Sequence, residues 1–431
     1  MVFLMRAKVL RGFLASAFLG SFFVPSVALA EEYFVSAARG NGKDGTKEKP
    51  AKELSHLASK LKDGDLVNIA EGVYVGNGES GSERLDVAVR VVGGWSDDFA
   101  KRDPWGAHQT VFAGVNTFNA ATQYRLIMTP RNCGAMAVDG IVFDNGPRNQ
   151  YRDAAERVIS RSANARLNLN ATPESGALKL ELPRSCQASI VNNVVMNTAP
   201  TGGAISASGH EGGLITIKNN LVINNTGEGI FAQTKWKPRD NKGLTRFVIE
   251  NNTVLFSWKH DPIATYGGNA LKLDQEVSLT ATNNVFAFGD YGGVDKVKKA
   301  AGVILKDNLF TGNRLYDYRE FETNVAVSNF GNEANELKDS TGNVSAELKV
   351  PVGASFANLY AGRVELNRAA VDAKAKAANN GANALRSMLG LPLQANAVTA
   401  DADVWLPRLA IADALRTGLA RYNGKYGCQK P

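Results

Sequence analysis

The chain has 431 residues, a formal net charge of +7 and 44% hydrophobic residues. That apolar share excludes a disordered chain, and the modest charge excludes the dense basic balance of a nucleic-acid binder. The 42 glycines suit a fold with many tight turns between short strands.

Residues 1–30 read as an export signal. Arg6, Lys8 and Arg11 precede an apolar run from 12 to 24, and Ala28-Leu29-Ala30 has the small-x-small pattern of a signal peptidase site. Cleavage is expected after Ala30, with a secreted or periplasmic mature chain. A membrane anchor fits poorly, because the run is short and Pro25 interrupts it. No later segment is apolar for long enough to span a bilayer. Losing the three leader cations takes the formal charge from +7 to +4. That charge suits an acidic polysaccharide as partner, and solvated surface lysines account for it equally well. In an oxidising compartment Cys133 and Cys186 can pair, leaving Cys428 free. No Cys/His spacing matches a zinc site.

Residues 31–85 read as an N-terminal cap and first strands. Tyr33-Phe34-Val35-Ser36 is a strand, followed by a Gly-rich turn over 40–49. Leu54, Leu57 and Leu61 lie at helical spacing within 53–61. A helix there would cover the open apolar end of a stack of strands.

Residues 86–313 carry the repeats. Ala188-Ser189-Ile190-Val191-Asn192-Asn193-Val194-Val195 recurs as Ile215-Thr216-Ile217-Lys218-Asn219-Asn220-Leu221-Val222. Further copies occupy 247–254 and 279–286, with a shorter one at 303–310. The first Asn recurs at 192, 219, 251 and 283, in steps of 27, 32 and 32. Alternating apolar residues on both sides of the pair predict two short strands meeting at a sharp bend. Stacked Asn side chains can hydrogen-bond along such a stack and tolerate left-handed backbone. Propeller blades need about forty residues or more, so the period favours three strands per rung. A third strand follows a Gly in each unit, over 176–181, 203–208, 229–235 and 268–274. Alternation puts Leu178, Ile205, Ile230 and Leu271 inside. It puts Lys179, Glu181, Ser206, Ser208, Gln233, Lys235, Lys272 and Asp274 on one outer face. Residues 314–431 turn irregular and then helical, over 356–388 and 405–422, as a C-terminal cap. The expected fold is all-β: a right-handed parallel β-helix with an N-terminal capping helix and a helical C-terminal appendage.

The entry segment has a specific look. Tyr33-Phe34-Val35-Ser36, Gly45-Thr46, Lys49-Pro50, Gly64-Asp65 and Glu71-Gly72-Val73-Tyr74 resemble the opening of secreted β-helix proteins of the pectate-lyase-like superfamily. The segment is similar to that of polysaccharide lyase family nine and its relatives. The resemblance implies a substrate lying across the post-Gly sheet, walled by long loops; here these span 145–175, 235–246 and 257–268. It brings no catalytic residue with it. The paired aspartates of the family's calcium site are absent from the repeats, and Asp97-Asp98 precedes them. Gly209-His210-Glu211 is a fragment of the polygalacturonase pattern, and His260-Asp261-Pro262 has the residue types of mannuronan epimerases in another order.

The candidates therefore come from chemistry. Uronate lyases neutralise a carboxylate, remove the adjacent proton and protonate a leaving oxygen. Lys235, Lys272, His260 and Arg239 supply those groups. Trp236, Trp258, Tyr266 and Gln233 would contact sugars, with Phe231 as a further ring. Asp261 and Asp274 are the candidate ligands for a Ca²⁺ ion. The leading expectation is a polysaccharide lyase cleaving an acidic, uronate-containing polymer by β-elimination. The alternatives are a non-catalytic polysaccharide-binding or cell-surface matrix protein, and a uronate epimerase or glycoside hydrolase.

Overall fold

The computed structural model describes residues 30–42, 44–77, 81–113, 124–145, 176–198, 200, 202–235, 243–258, 267–298, 302–322, 325–328, 330, 337, 339–346 and 425–431. The expected leader, most of the 145–175 insertion and the helical stretches expected at 356–388 and 405–422 lie outside them.

Short strands with an alternating apolar pattern hide one face only by stacking on copies of themselves, and this chain does so on three sides. Its described strands form three sheets of nine. Thr245–Glu250 belongs to the first sheet, Thr253–Trp258 to the second and Asn269–Asp274 to the third. The chain then returns with Val277–Thr282, which pairs in parallel with Thr245–Glu250. Repetition of that circuit makes a parallel β-helix. Among the described strands the one antiparallel pair is Tyr316–Glu320 with Val325–Val327, at the end of the third sheet. Pairing starts at Glu32–Val35 and reaches Val344–Ser345, so the stack extends beyond 86–313 on both sides.

The interior is built from columns in register. Val91, Val138, Ile190, Ile217, Ile249, Ala281 and Leu305 follow one another down the first sheet, all buried. Fully burying each Val, Leu or Ile contributes about 1.5–3 kcal/mol.

The Asn pairs make the bend between the first and second sheets. Asn192, Asn219, Asn251 and Asn283 take left-handed backbone, with φ of 54–56°. Their successors are buried and bonded rung to rung. Nδ2 donates to the next Oδ1 from Asn193 to Asn220 at 3.0 Å, Asn220 to Asn252 at 2.9 Å, Asn252 to Asn284 at 3.0 Å and Asn284 to Asn308 at 2.9 Å. A second ladder, which the repeat did not announce, lies at the next bend. Asn197 and Asn224 have φ of 58° and 57° there, and Asn224 Nδ2 donates to Asn197 Oδ1 at 2.9 Å. On the next two rungs Phe256 and Phe288 occupy the same left-handed corner and stack at 4.9 Å.

The ends differ from expectation in detail. Of the helix expected over 53–61, only a 3₁₀ turn at Leu54–Leu57 forms, and Leu54, Leu57 and Leu61 still join the core. Cys133 and Cys186 are joined by a disulfide, and Cys428 is free and buried. Residues 425–431 lie back along the Asn corner. Lys425 reaches Asp307, Gly427 N–H donates to the Asn283 carbonyl, Cys428 N–H to Thr253 Oγ1, Gln429 N–H to Asn219 Oδ1, and Lys430 reaches Asp103.

Candidate functional site on the third sheet

Alternation along the third sheet turns every second side chain to the outer face, and register aligns these into rows. One row reads Lys179, Ser206, Phe231, Lys272, Asp295, Arg319. The next reads Glu181, Ser208, Gln233, Asp274. Six strands at the usual spacing make the first row roughly 24 Å long. Gly203 lets neighbouring strands pack closely here: a Cβ there would meet Phe231 N at 2.6 Å and Phe231 Cβ at 2.7 Å.

Lys272 is the centre of the face. Its Nζ lies 3.4 Å from Glu228 Oε1 and 5.9 Å from the centre of the Phe231 ring. Glu228 precedes Phe231 on the same strand and is buried; its Oε2 accepts the Asn269 N–H at 2.8 Å. Burial raises the Glu228 carboxyl above its ordinary value, against the pull of Lys272. Asp295 is likewise buried and raised by desolvation, opposed chiefly by Arg319. Arg319 grips it with two bonds, Nε to Oδ1 at 3.0 Å and Nη2 to Oδ2 at 2.9 Å. The same guanidinium lies 4.7 Å from the Tyr316 ring, 5.0 Å from Tyr291 and 5.5 Å from Phe321. Tyr316 O–H donates to Asn269 Oδ1 at 2.9 Å, and burial holds its own proton well above the usual phenol range. Asn269 Nδ2 is a buried donor without a hydrogen-bond partner among the described residues.

Lys235 does not join Lys272. It lies four residues beyond Phe231, the register partner of Lys272, which separates them by roughly 13 Å along the strands. Its Nζ is 3.5 Å from Glu181 Oε2, and the other oxygen of that carboxylate is 3.6 Å from His210 Nε2. Gln233 and Asp274 are register partners on the face between these two ends. Asp274 Oδ1 accepts the Gln275 N–H at 2.9 Å. Trp258 is a correction. It ends a strand of the second sheet, is fully buried, and donates Nε1–H to Asn224 Oδ1 at 2.7 Å. It braces the second Asn ladder and has no face open to a sugar. Arg239, Trp236, His260, Asp261 and Tyr266 lie outside the described residues. Among the described residues no group of three or more His, Cys, Asp and Glu is placed to hold a metal ion.

Sequence reasoning missed Glu228, Asp295, Arg319, Tyr291 and Tyr316. The post-Gly signal continues at Gly292-Gly293-Val294-Asp295 and would have reached Asp295. Glu228 stands before its Gly, where alternation cannot assign a face. The cluster offers a raised carboxyl able to carry a proton, an ammonium and a guanidinium, and partly open rings at Phe231 and Tyr291.

No family model and no curated protein matches the sequence. A comparison with solved structures finds the crystal structure of pectate lyase Pel9A, with a TM-score of 0.41 and 11% identity, over 77% of this chain and 83% of that one. The β-helix itself stands on the strand pairing described above. No helix among the described residues is long and apolar enough to cross a membrane.

Proposed function

We propose that the protein is an exported, carbohydrate-active protein that engages an acidic, uronate-containing polysaccharide along the outer face of the third sheet and cleaves it by β-elimination. The observation that carries this reading is Lys272, held over Phe231 and beside the buried, raised carboxyl of Glu228. The ammonium would neutralise a uronate carboxylate and so acidify the neighbouring C–H. A base removes that proton, the electron pair forms the carbon–carbon double bond, and the glycosidic oxygen leaves with a proton from Glu228. The base would be His260 or Arg239, since Lys235 lies roughly 13 Å from Lys272 along the strands. Export follows from the leader, with cleavage after Ala30.

Incubating the mature protein with a panel of uronate polymers tests the reading through the ultraviolet absorbance of new double bonds. Absence of signal with every polymer, with and without Ca²⁺, overturns it. A second reading, a polysaccharide-binding matrix protein, is favoured by one observation: Lys235, Lys272 and Arg319 each already hold a carboxylate. Binding without shortening of the polymer would support it. New reducing ends without unsaturation would point to a hydrolase, and sugar inversion to an epimerase.

A further inference from the structure

The second row ends at a cleft that the reading above does not use. Its walls are Thr129, Pro130, Arg131, Pro183 and Arg184, with Glu181 and His210 on its inner side, around a volume of about 440 Å³. Its two arginine-bearing turns are held rigidly. The Pro183 carbonyl accepts the Cys186 N–H at 3.3 Å, and Ser185 between them has φ of 58°. Cys186 is joined to Cys133, which follows Arg131 by two residues. Thr129 N–H donates to the Leu85 carbonyl at 2.9 Å. The disulfide thus ties the two arginine-bearing turns to each other.

The charge of the cleft is cationic. Glu181 is the acidic group of the lining, and Lys235 and His210 already approach its two oxygens. Arg184 meets Glu211 at 3.3 Å in an exposed pair, which is weak and readily exchanged. Arg131 has no ion-pair partner among the described residues. Two guanidiniums and an imidazole therefore face a space whose carboxylate is already engaged. Pro130 and Pro183 add rigid apolar walls of the kind a sugar ring packs against. From Phe231 the outward positions of its strand lead through Gln233 to Lys235 and Glu181, so the cleft continues the face that carries Lys272.

We propose that this cleft is a separate anion subsite that takes the carboxylate of a uronic-acid residue between Arg131, Arg184 and His210, anchoring the chain at a distance from Lys272. The choice of a uronate rests on the acidic-polysaccharide reading; the cationic cleft does not. Fixed turns bind with less ordering cost than free ones, which is the role the disulfide would play.

The test reads binding and needs no turnover. The chain has four histidines, so selective ¹³C labelling gives few imidazole signals, and His210→Gln identifies the one in the cleft. Trigalacturonate should shift that signal saturably, while neutral galactotriose should leave it in place. Replacing both Arg131 and Arg184 by Ala should weaken trigalacturonate binding at least about threefold. Lys218→Gln, exposed at the far end of a first-sheet strand, should leave the shift intact. An equal shift with galactotriose, an unchanged affinity in the double variant, or a response to inorganic sulfate alone would each overturn the proposal. A protein that shows the His210 shift and makes no double bonds keeps the subsite and loses the lyase.

Discussion

Lys272 Nζ lies 3.4 Å from Glu228 Oε1, and the carboxylate it holds is almost entirely shut off from water. Breaking a buried pair from one side is costlier than removing both charges, because the survivor is left uncompensated. Lys272→Met should therefore lower stability by about 3 kcal/mol near pH 8. The loss should shrink near pH 5, where the stranded Glu228 takes up a proton. Lys272→Met combined with Glu228→Gln should recover most of it. Urea midpoints at both pH values check this, and an additive double variant would show that the two residues are not coupled.

Glu83 gives the fold a pH dependence of its own. It is buried in the third sheet near the N-terminal end, and burial pushes its pKa up to about 8, with Glu53 adding to the rise and the Ser55 backbone opposing it. An acid whose folded pKa exceeds its unfolded value binds more protons when folded. Its contribution is thus full below about pH 4.5 and is lost as pH rises toward 8. The loss over that window amounts to a few kcal/mol. Glu83→Gln should flatten the curve of unfolding midpoint against pH between 5 and 8. A variant with the wild-type slope would place the titration elsewhere.

The Asn corner separates two roles that adjacent residues play. Asn252 Nδ2 donates to Asn284 Oδ1 and to the Ile217 carbonyl, and its Oδ1 accepts the Asn220 N–H. Asn252→Ala strands these buried partners and should cost roughly 2–4 kcal/mol. Asn251 contributes its backbone, with φ of 54°. Asn251→Gly should be nearly neutral, and Asn251→Val should cost about 1–2 kcal/mol. Thermal unfolding of the three variants distinguishes the roles; equal losses at all three would refute the division.

The same corner explains why the fold was legible and the site less so. An Asn pair recurring with apolar flanks reports a backbone conformation and a buried ladder at once, and both repeat on every rung. The second ladder escaped because Phe256 and Phe288 replace Asn at that corner, so no single residue type marks it. Trp258 looked like a sugar platform because it follows the last repeat residues, yet its strand simply runs longer than the repeat shows. Lys235 and Lys272 were correctly placed on one face, since period two decides faces. Their separation depends on how many residues each circuit spends in loops, and alternation carries no such information. Glu181 and His210 meet only because neighbouring rungs pair Glu181 with Ser208, two residues before His210, a relation visible in register and hidden in spacing.

The C-terminal segment predicts a protected thiol. Cys428 is buried, and burial pushes its pKa up to about 12, so it offers almost no thiolate at neutral pH. It is held by the segment's own bonds: Gly427 to Asn283, Cys428 to Thr253 and Gln429 to Asn219, with lysines at both ends on Asp307 and Asp103. Gly427 has φ of 81°, and a Cβ there would come within 2.3 Å of Thr253 Oγ1. Gly427→Ala should therefore lift the segment off the Asn corner. In the native protein a disulfide-exchange reagent should leave Cys428 unlabelled for hours, while denaturant should release one reactive thiol per chain with the Cys133–Cys186 bond intact. Gly427→Ala should label without denaturant and unfold at a lower temperature. Prompt labelling of the unsubstituted protein would show that the segment does not stay seated on the corner.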